Sequence, residues 1–355
     1  MAPETPTLTA SQFANLRVVV KMIRDMDEKS GVRFLSRILY HLAAGSDAAL
    51  EATTNVDWRA IVKAEKGESL MATRQAWQPP PDVAEIVERW QRREAGRPLD
   101  DYQARVFSQH GEDGITVEVL RRIGVEHRRA VEIGSGSNGG NAGILVGALG
   151  WEGLLVDGSA ELVRICAALH PGATAVAAFI NRDTVGPLLA SHGFDERLDY
   201  LGIDVDGIDY WIWDALTVRP RLVIVEFNPL FGPDAAVTIA YRDNFSRKEK
   251  GADGQPRNTK GYFGASIAAF AALGRRKGYR LVGSAPNSSN AYFVREDVAA
   301  GLAACTPAEA WRPAKIGKGR EQVTRGVAAE GVHAYFRSRG CPLVDVSGDE
   351  PRLAE

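Results

Sequence analysis

Cysteine is scarce in this chain. Cys166, Cys305 and Cys341 are the only three in 355 residues, and no C-x-x-C pair occurs. That argues against a disulfide framework and against a cysteine-built zinc site. No apolar run approaches the roughly 20 residues that a membrane-spanning helix needs. No block of basic residues stands out, and 43 Lys and Arg against 45 Asp and Glu leave a formal net charge of −2. A nucleic-acid footprint is therefore not expected, and neither is a membrane surface. The N-terminal MAPETPTLTA has neither a basic start nor an apolar core, so no secretory signal is read and the cytoplasm is the expected compartment. What is present is ordinary for a globular protein: 45% hydrophobic and 25% charged residues. The length predicts two domains, or one α/β domain with additions.

Glycine, by contrast, is concentrated where it matters. Val131–Ile144 reads VEIGSGSNGGNAGI, with Gly134, Gly136, Gly139 and Gly140 following the apolar run Arg129–Ile133. A short apolar run that ends in glycines and leads into a helix-like segment predicts a strand–turn–helix unit. In an α/β sheet that turn lies at the carboxyl edge, where nucleotide-like ligands bind. Gly153–Asp157 (GLLVD) reads as a second buried strand ending in an acid. Asp157 stands roughly twenty residues past the glycines, within reach of ribose hydroxyls. The loop is E-I-G-S-G-S-N-G-G and not the dinucleotide pattern G-x-G-x-x-G.

Alternation continues along the chain. Strands are expected over Ala173–Ile180, Asp199–Val205 and Arg221–Phe227, with helices over Ala160–Leu169, Val185–Ser191, Asp209–Leu216 and Ala265–Leu273. Such alternation predicts an α/β fold with a doubly wound, Rossmann-like parallel sheet. Residues 1–98 read as a helical N-terminal region for packing, dimerisation or covering the site. Apolar stripes within Ser11–Ala44 and the break at Gln78-Pro79-Pro80-Pro81 carry that reading. Residues 99–302 form the α/β domain and 303–355 a C-terminal extension, where Val323–Arg339 reads as one helix that could carry a homodimer contact. Asn228–Gly261 is poor in apolar residues and basic, with Lys248, Lys250, Arg257 and Lys260; it reads as a solvated loop or a substrate lid.

The chemistry gathers at Ile203-Asp204-Val205-Asp206-Gly207-Ile208-Asp209 and Val225-Glu226-Phe227-Asn228, expected at the ends of adjacent strands. Adjacent parallel strands place such ends about 5 Å apart, and Asp204 and Asp206, two residues apart, would share a strand face. Three readings stay open: a cap and turn cluster in which Asp206 or Asp209 starts the next helix, a contact to a cofactor ammonium, and a divalent cation held by hard oxygen ligands. His110 sits near the glycine loop as a base candidate, or as a loop histidine that bonds locally.

The acid-led glycine loop with Asp157 resembles motif I and the ribose acid of class I S-adenosylmethionine-dependent methyltransferases. The set Ser108-Gln109-His110-Gly111-Glu112-Asp113, IDVDGIDYWIW, RPRLVIVEFNP and YFGASIAAF resembles the FkbM-type methyltransferases and their uncharacterised relatives over roughly Phe107–Arg295. The departure is Asp206, where that group commonly has Glu after D-V. The resemblance implies a methyltransferase sheet closed by an antiparallel pair, Tyr279–Gly283 and Ala291–Arg295. It also implies S-adenosylmethionine as cofactor and a small-molecule acceptor with an oxygen or nitrogen nucleophile. Cofactor contact then falls to Glu132, Gly134, Gly136, Asn138, Asp157, Gly158 and Asp204, and catalysis to Asp206 and His110. Mg²⁺ or another divalent cation would be held by Asp204, Asp206, Glu226 and Asn228, although metal-dependent O-methyltransferases have Asp-Asn where this chain has Glu-x-Asn. The alternatives are an NAD(P)-dependent oxidoreductase and a methyltransferase-like domain that binds without catalysis.

Overall fold

A computed structural model describes residues 97–108, 110–247, 261–286, 289–313, 321–348 and 350–353. The expected helices of residues 1–96, Gln109 and the basic part of the predicted loop at 248–260 lie outside the described residues.

Strands β1 (Arg129–Ile133), β2 (Glu152–Asp157), β3 (Thr174–Ala177), β4 (Tyr200–Ile203) and β5 (Leu222–Glu226) pair in parallel, in the order β3-β2-β1-β4-β5. Strand β8 (Asn290–Arg295) joins β5 antiparallel and carries β7 (Tyr279–Ser284) at the edge, which makes a seven-stranded mixed sheet. The fold is thus the doubly wound α/β sheet expected, closed by the antiparallel pair. The parallel strands are apolar on both sides because both sides are covered. Val131, Ile133, Leu201, Ile203, Val223 and Val225 face one core. Ala130, Tyr200, Leu222 and Ile224 face the other.

Helix α1 (Glu112–Ile123) lays Ile115, Val119, Leu120 and Ile123 on the second of those cores. After the glycine loop comes α2 (Gly143–Gly147), then α3 (Ala160–Leu169), whose N-cap Ser159 accepts from the Leu162 amide. Helix α4 (Val185–Ser191) and α5 (Asp209–Ala215) follow on the opposite face, α5 burying Trp211 and Trp213. Helix α6 (Ile267–Lys277) is capped by Ser266 and ends at Gly278 in a left-handed conformation, with Arg275, Arg276 and Lys277 in its last turn. Cations there complement the negative end of the helix dipole.

Two expectations change. The segment Asn228–Gly261 is not one solvated loop, for it contains β6 (Val237–Ile239) with Leu230, Phe231 and Phe245 buried. A short helix α7 (Pro307–Ala310) precedes the tail, and the single helix expected over Val323–Arg339 is two, α8 (Glu321–Glu330) and α9 (Val332–Arg337), broken at Gly331. The tail then returns as β9 (Leu343–Asp345) and β10 (Arg352–Leu353), and β6 pairs antiparallel with β9 to start a second, three-stranded sheet. Tyr335, Phe336, Leu343 and Val346 of that tail belong to the same core as the central strands. Among the described residues, no helix is long and apolar enough to cross a membrane.

Candidate functional site

Strand register builds the site. Ile133 pairs with Val156 and with Ile203, and Ile203 pairs with Val225. One residue further on, Asp157, Gly134, Asp204 and Glu226 form a row at the carboxyl edge, and Glu226 pairs onward with Asn290. Neighbours in such a row are about 4.8 Å apart. Acids from separate strands therefore meet at one crevice.

Gly134 is where the chain turns out of β1. Its φ is +89°, and a Cβ there would stand 1.7 Å from the Asp204 carbonyl oxygen. Its N–H and that of Ser135 both donate to the Val156 carbonyl, at 2.8 and 2.9 Å. Asp157 completes the turn: its carboxylate accepts from the Gly136 amide at 2.9 Å and from the Ser159 amide at 2.7 Å. The acid that ends β2 thus holds both the glycine loop and the start of α3.

Glu132 lies elsewhere than the resemblance implied. It is fully buried on the α1 side of the sheet, beside Tyr200. Its carboxylate accepts from the amides of Asn141 and Ala142, each at 3.0 Å, and from the Tyr200 hydroxyl at 2.9 Å. Gly202 makes room, since a Cβ there would lie 2.1 Å from Glu132 Oε2. Burial pushes the Glu132 carboxyl up to about 8 against the pull of its donors, and the nearby Asp204 charge adds to the rise. Glu132 is a buckle between the glycine loop and the sheet, and it does not line the cavity described below.

Asn138 is likewise turned away from that cavity. Its Nδ2 donates to the Phe107 carbonyl at 2.6 Å, and its own carbonyl accepts from His170 Nε2 at 2.9 Å. The segment 106–108 is fixed in turn by buried Asp113, whose Oδ2 accepts from the amides of Val106, Phe107 and Ser108. Burial pushes the Asp113 carboxyl up to about 6. His110 is exposed, is outside the cavity lining, and donates its backbone N–H to Glu112 at 2.8 Å.

Beyond β4 the expected geometry changes. The strand stops at Ile203, and Asp206 has a left-handed backbone, φ 58°. Asp204 and Asp206 therefore do not share a strand face; the turn brings them together. Asp209 makes that turn, accepting from the amides of Val205 at 2.7 Å and Gly207 at 2.9 Å. Neither acid expected to cap α5 does so: the N-cap is Ile208 with no side-chain cap bond, and Asp209, the first helical residue, closes the preceding turn instead. Asp204, Asp206 and Glu226 each place a carboxylate oxygen within 4.8 Å of the others, with Asp204 and Glu226 half-buried and Asp206 exposed. Burial, then the charges of Asp209 and Asp206, push the Asp204 carboxyl up to about 8. Burial, then Asp204, hold Glu226 well above the usual carboxylate range. Like charges this close favour protonation or a cation. Asn228 is occupied: its Nδ2 donates to the carbonyls of Gly261 and Phe263, and its Oδ1 accepts from the Leu230 amide. It caps a turn and is fully buried, which removes it from the set of expected metal ligands.

A cavity of about 640 Å³ opens over this edge, lined by Gly134, Asp157 and Gly158 on one side and by Asp204, Asp206 and Gly207 on another. Its volume lies within the ordinary range for small-molecule sites. Three lining residues escaped the sequence reading. Phe179 follows β3 and is 61% exposed, packed over Gly158. Phe245 and Arg247 reach in from beyond β6, and Arg247 pairs with Asp206. No periodicity marks them; the one local signal was an aromatic, Phe179, just past a strand end.

No family model matches the chain, and no curated protein matches it. Among solved structures it is similar to the O-methyltransferase from Bacillus cereus in complex with SAH, at 14% identity and a TM-score of 0.31, over 63% of this chain and 96% of that chain. It is also similar to the mitomycin 7-O-methyltransferase MmcR, at 13% identity and a TM-score of 0.28. That second match covers 72% of this chain and 65% of the other, just under two thirds of its length.

Proposed function

We propose that the chain is an S-adenosylmethionine-dependent methyltransferase acting on an oxygen or nitrogen nucleophile of a small molecule. The observation that carries the reading is the pairing of Asp157 with the glycine turn at the carboxyl edge, beside a cavity that Phe179 also lines. A carboxylate at the end of β2 suits ribose hydroxyls, and an exposed aromatic face next to it suits a planar base. The cofactor supplies an electrophilic methyl group on a sulfonium. The protein's share is to hold that ligand, to exclude water with Phe245 and Tyr262, and to position the acceptor near Asp206; such positioning accounts for a large part of many barriers.

The test is calorimetry with S-adenosylhomocysteine. Wild type should bind it, and Asp157→Ala should weaken binding by about 1–3 kcal/mol, the cost of leaving polar partners unmet. No binding to wild type, together with tight NAD binding, would turn the reading toward an oxidoreductase.

The carboxylate oxygens of Asp204, Asp206 and Glu226, each within 4.8 Å of the others, would also suit a hard divalent cation. Such an ion would lower the pKa of an acceptor hydroxyl and orient it. Turnover should then fall on chelation and return with Mg²⁺. Full turnover in excess chelator would reject the metal and leave the carboxylates to the acceptor alone.

A further inference from the structure

Aromatic rings and acids share the cavity lining with Asp157. Phe245, Tyr262 and Phe263 are all buried, and Asp204 and Asp206 bring carboxylates to the same space. Among the described lining residues, Arg247 is the one cation. Its guanidinium carbon stands 4.1 Å from the centroid of the Phe263 ring, and its Nη1 pairs with Asp206. Arg247 is therefore the counter-ion of Asp206, seated on an aromatic face.

A ring face beside a carboxylate is a general receptor for organic cations. Here that receptor is filled by the chain's own side chain. The seat is also prepared on the acid's side: Asp206 holds a left-handed backbone that L-residues rarely adopt, which presents its 58%-exposed carboxylate to Arg247. Residues held in such sparsely populated conformations cluster at ligand clamps and switch regions. Neither partner is locked in the core, since the Arg247 side chain is 34% exposed. An exposed pair of this kind is worth little, so a better-placed cation can displace it.

We infer that Arg247 occupies, in the free protein, the place of an organic cation, and that it leaves when that ligand enters. This rests on the cavity being the chamber of the proposed methyl transfer, and it goes further by assigning a cationic group to the ligand at this lining. Two sources share that chemistry: the ammonium or sulfonium of the cofactor, and an amino group on the acceptor. The sign of one mutational effect separates a displaced surrogate from a ligand-binding arginine. If Arg247 gripped the ligand, removing its charge would weaken binding; if it holds the ligand's place, removing it tightens binding.

The experiment is calorimetry on the full chain, comparing wild type with Arg247→Met and Arg247→Gln. The probes are S-adenosylmethionine, benzylammonium and the neutral isostere benzyl alcohol, with benzylammonium titrated both without cofactor and in saturating S-adenosylhomocysteine. Both variants should bind an organic cation about two- to fivefold tighter than wild type, the worth of a partly exposed ion pair, and the gain should shrink with salt. Benzyl alcohol should show no gain. A gain for S-adenosylmethionine assigns the cation to the cofactor, and a gain for benzylammonium assigns it to the acceptor; either supports the inference. Unchanged or weaker binding of both cations in both variants would overturn it. If wild type binds no S-adenosyl ligand, the methyltransferase reading falls by itself, and the cofactor-free benzylammonium titration still decides the role of Arg247.

Discussion

Gly134→Ala should destabilise the protein by about 2–5 kcal/mol, summing a left-handed backbone at about 1–2 kcal/mol and a forced separation of packed groups at about 1–3 kcal/mol. The added methyl would stand 1.7 Å from the Asp204 carbonyl oxygen and 2.5 Å from its carbon. Those atoms are backbone, and they cannot rotate aside as a side chain could. Nor can the strands part cheaply, because the Asp204 amide donates to the Ile133 carbonyl at 2.8 Å in the ladder between β1 and β4. Denaturant midpoints of wild type and variant measure the loss. Gly150→Ala is the control: its φ is +66° and nothing lies within 4 Å of the added atom. It should cost only the backbone share, about 1–2 kcal/mol. Equal costs at the two positions would mean that β1 and the turn after β4 do not approach as closely as described. Whatever Gly134→Ala does to stability, it also separates Asp157 from Asp204 across the row, so ligand binding should fall in the fraction that still folds.

The row itself was legible because each of its acids directly follows an apolar run. Arg129–Ile133, Ala160–Leu169 and Val185–Ser191 end where the sequence predicts, at glycine, at serine or at a polar turn. Parallel strands of four to six residues leave little room for error once both ends are marked. Asp204 and Glu226 then meet because β4 and β5 are neighbours in register, which follows from the alternation of strands and helices.

Other parts were not legible, for different physical reasons. Strand β6 is three residues long, and its partner β9 lies roughly a hundred residues away; a pairing that distant leaves no local pattern. The direction of Glu132, however, was readable. Strand side chains alternate, so an acid between Val131 and Ile133 must face the opposite side, here toward Tyr200. Asn228 also carried a signal, since Asn-Pro favours turn initiation, and the residue caps the turn Pro229–Phe231. Arg247 and Phe245 enter the site through tertiary packing of a segment whose own sequence reads as a solvated loop or a substrate lid, with nothing local to single out either residue.

The fate of Glu132 makes the last prediction, on pH. Its carboxyl titrates near 8 in the folded chain, against an ordinary value of 4.5. Between those values the folded state keeps a proton that the unfolded state has released. Raising the pH therefore favours unfolding: the contribution is whole below about 4.5 and is lost as pH climbs through about 8. Asp113, raised from 3.8 to about 6, acts in the same direction over a lower window. One group loses about 1.4 kcal/mol per pH unit inside its window, so stability should drop by about 3–4 kcal/mol from pH 5 to pH 8 on account of Glu132. Glu132→Gln removes that titration but brings an NH₂ group among donors, because both oxygens accept, from Asn141, Ala142 and Tyr200. The variant should be less stable than wild type by about 1–3 kcal/mol at pH 5, the cost of an unmet buried donor. Urea midpoints from pH 5 to pH 9 should then show the gap closing as wild type loses its proton, and inverting once Glu132 carries a buried charge. A gap that stays constant across that range would mean that Glu132 is ionised throughout, with its three donors outweighing the cost of burial.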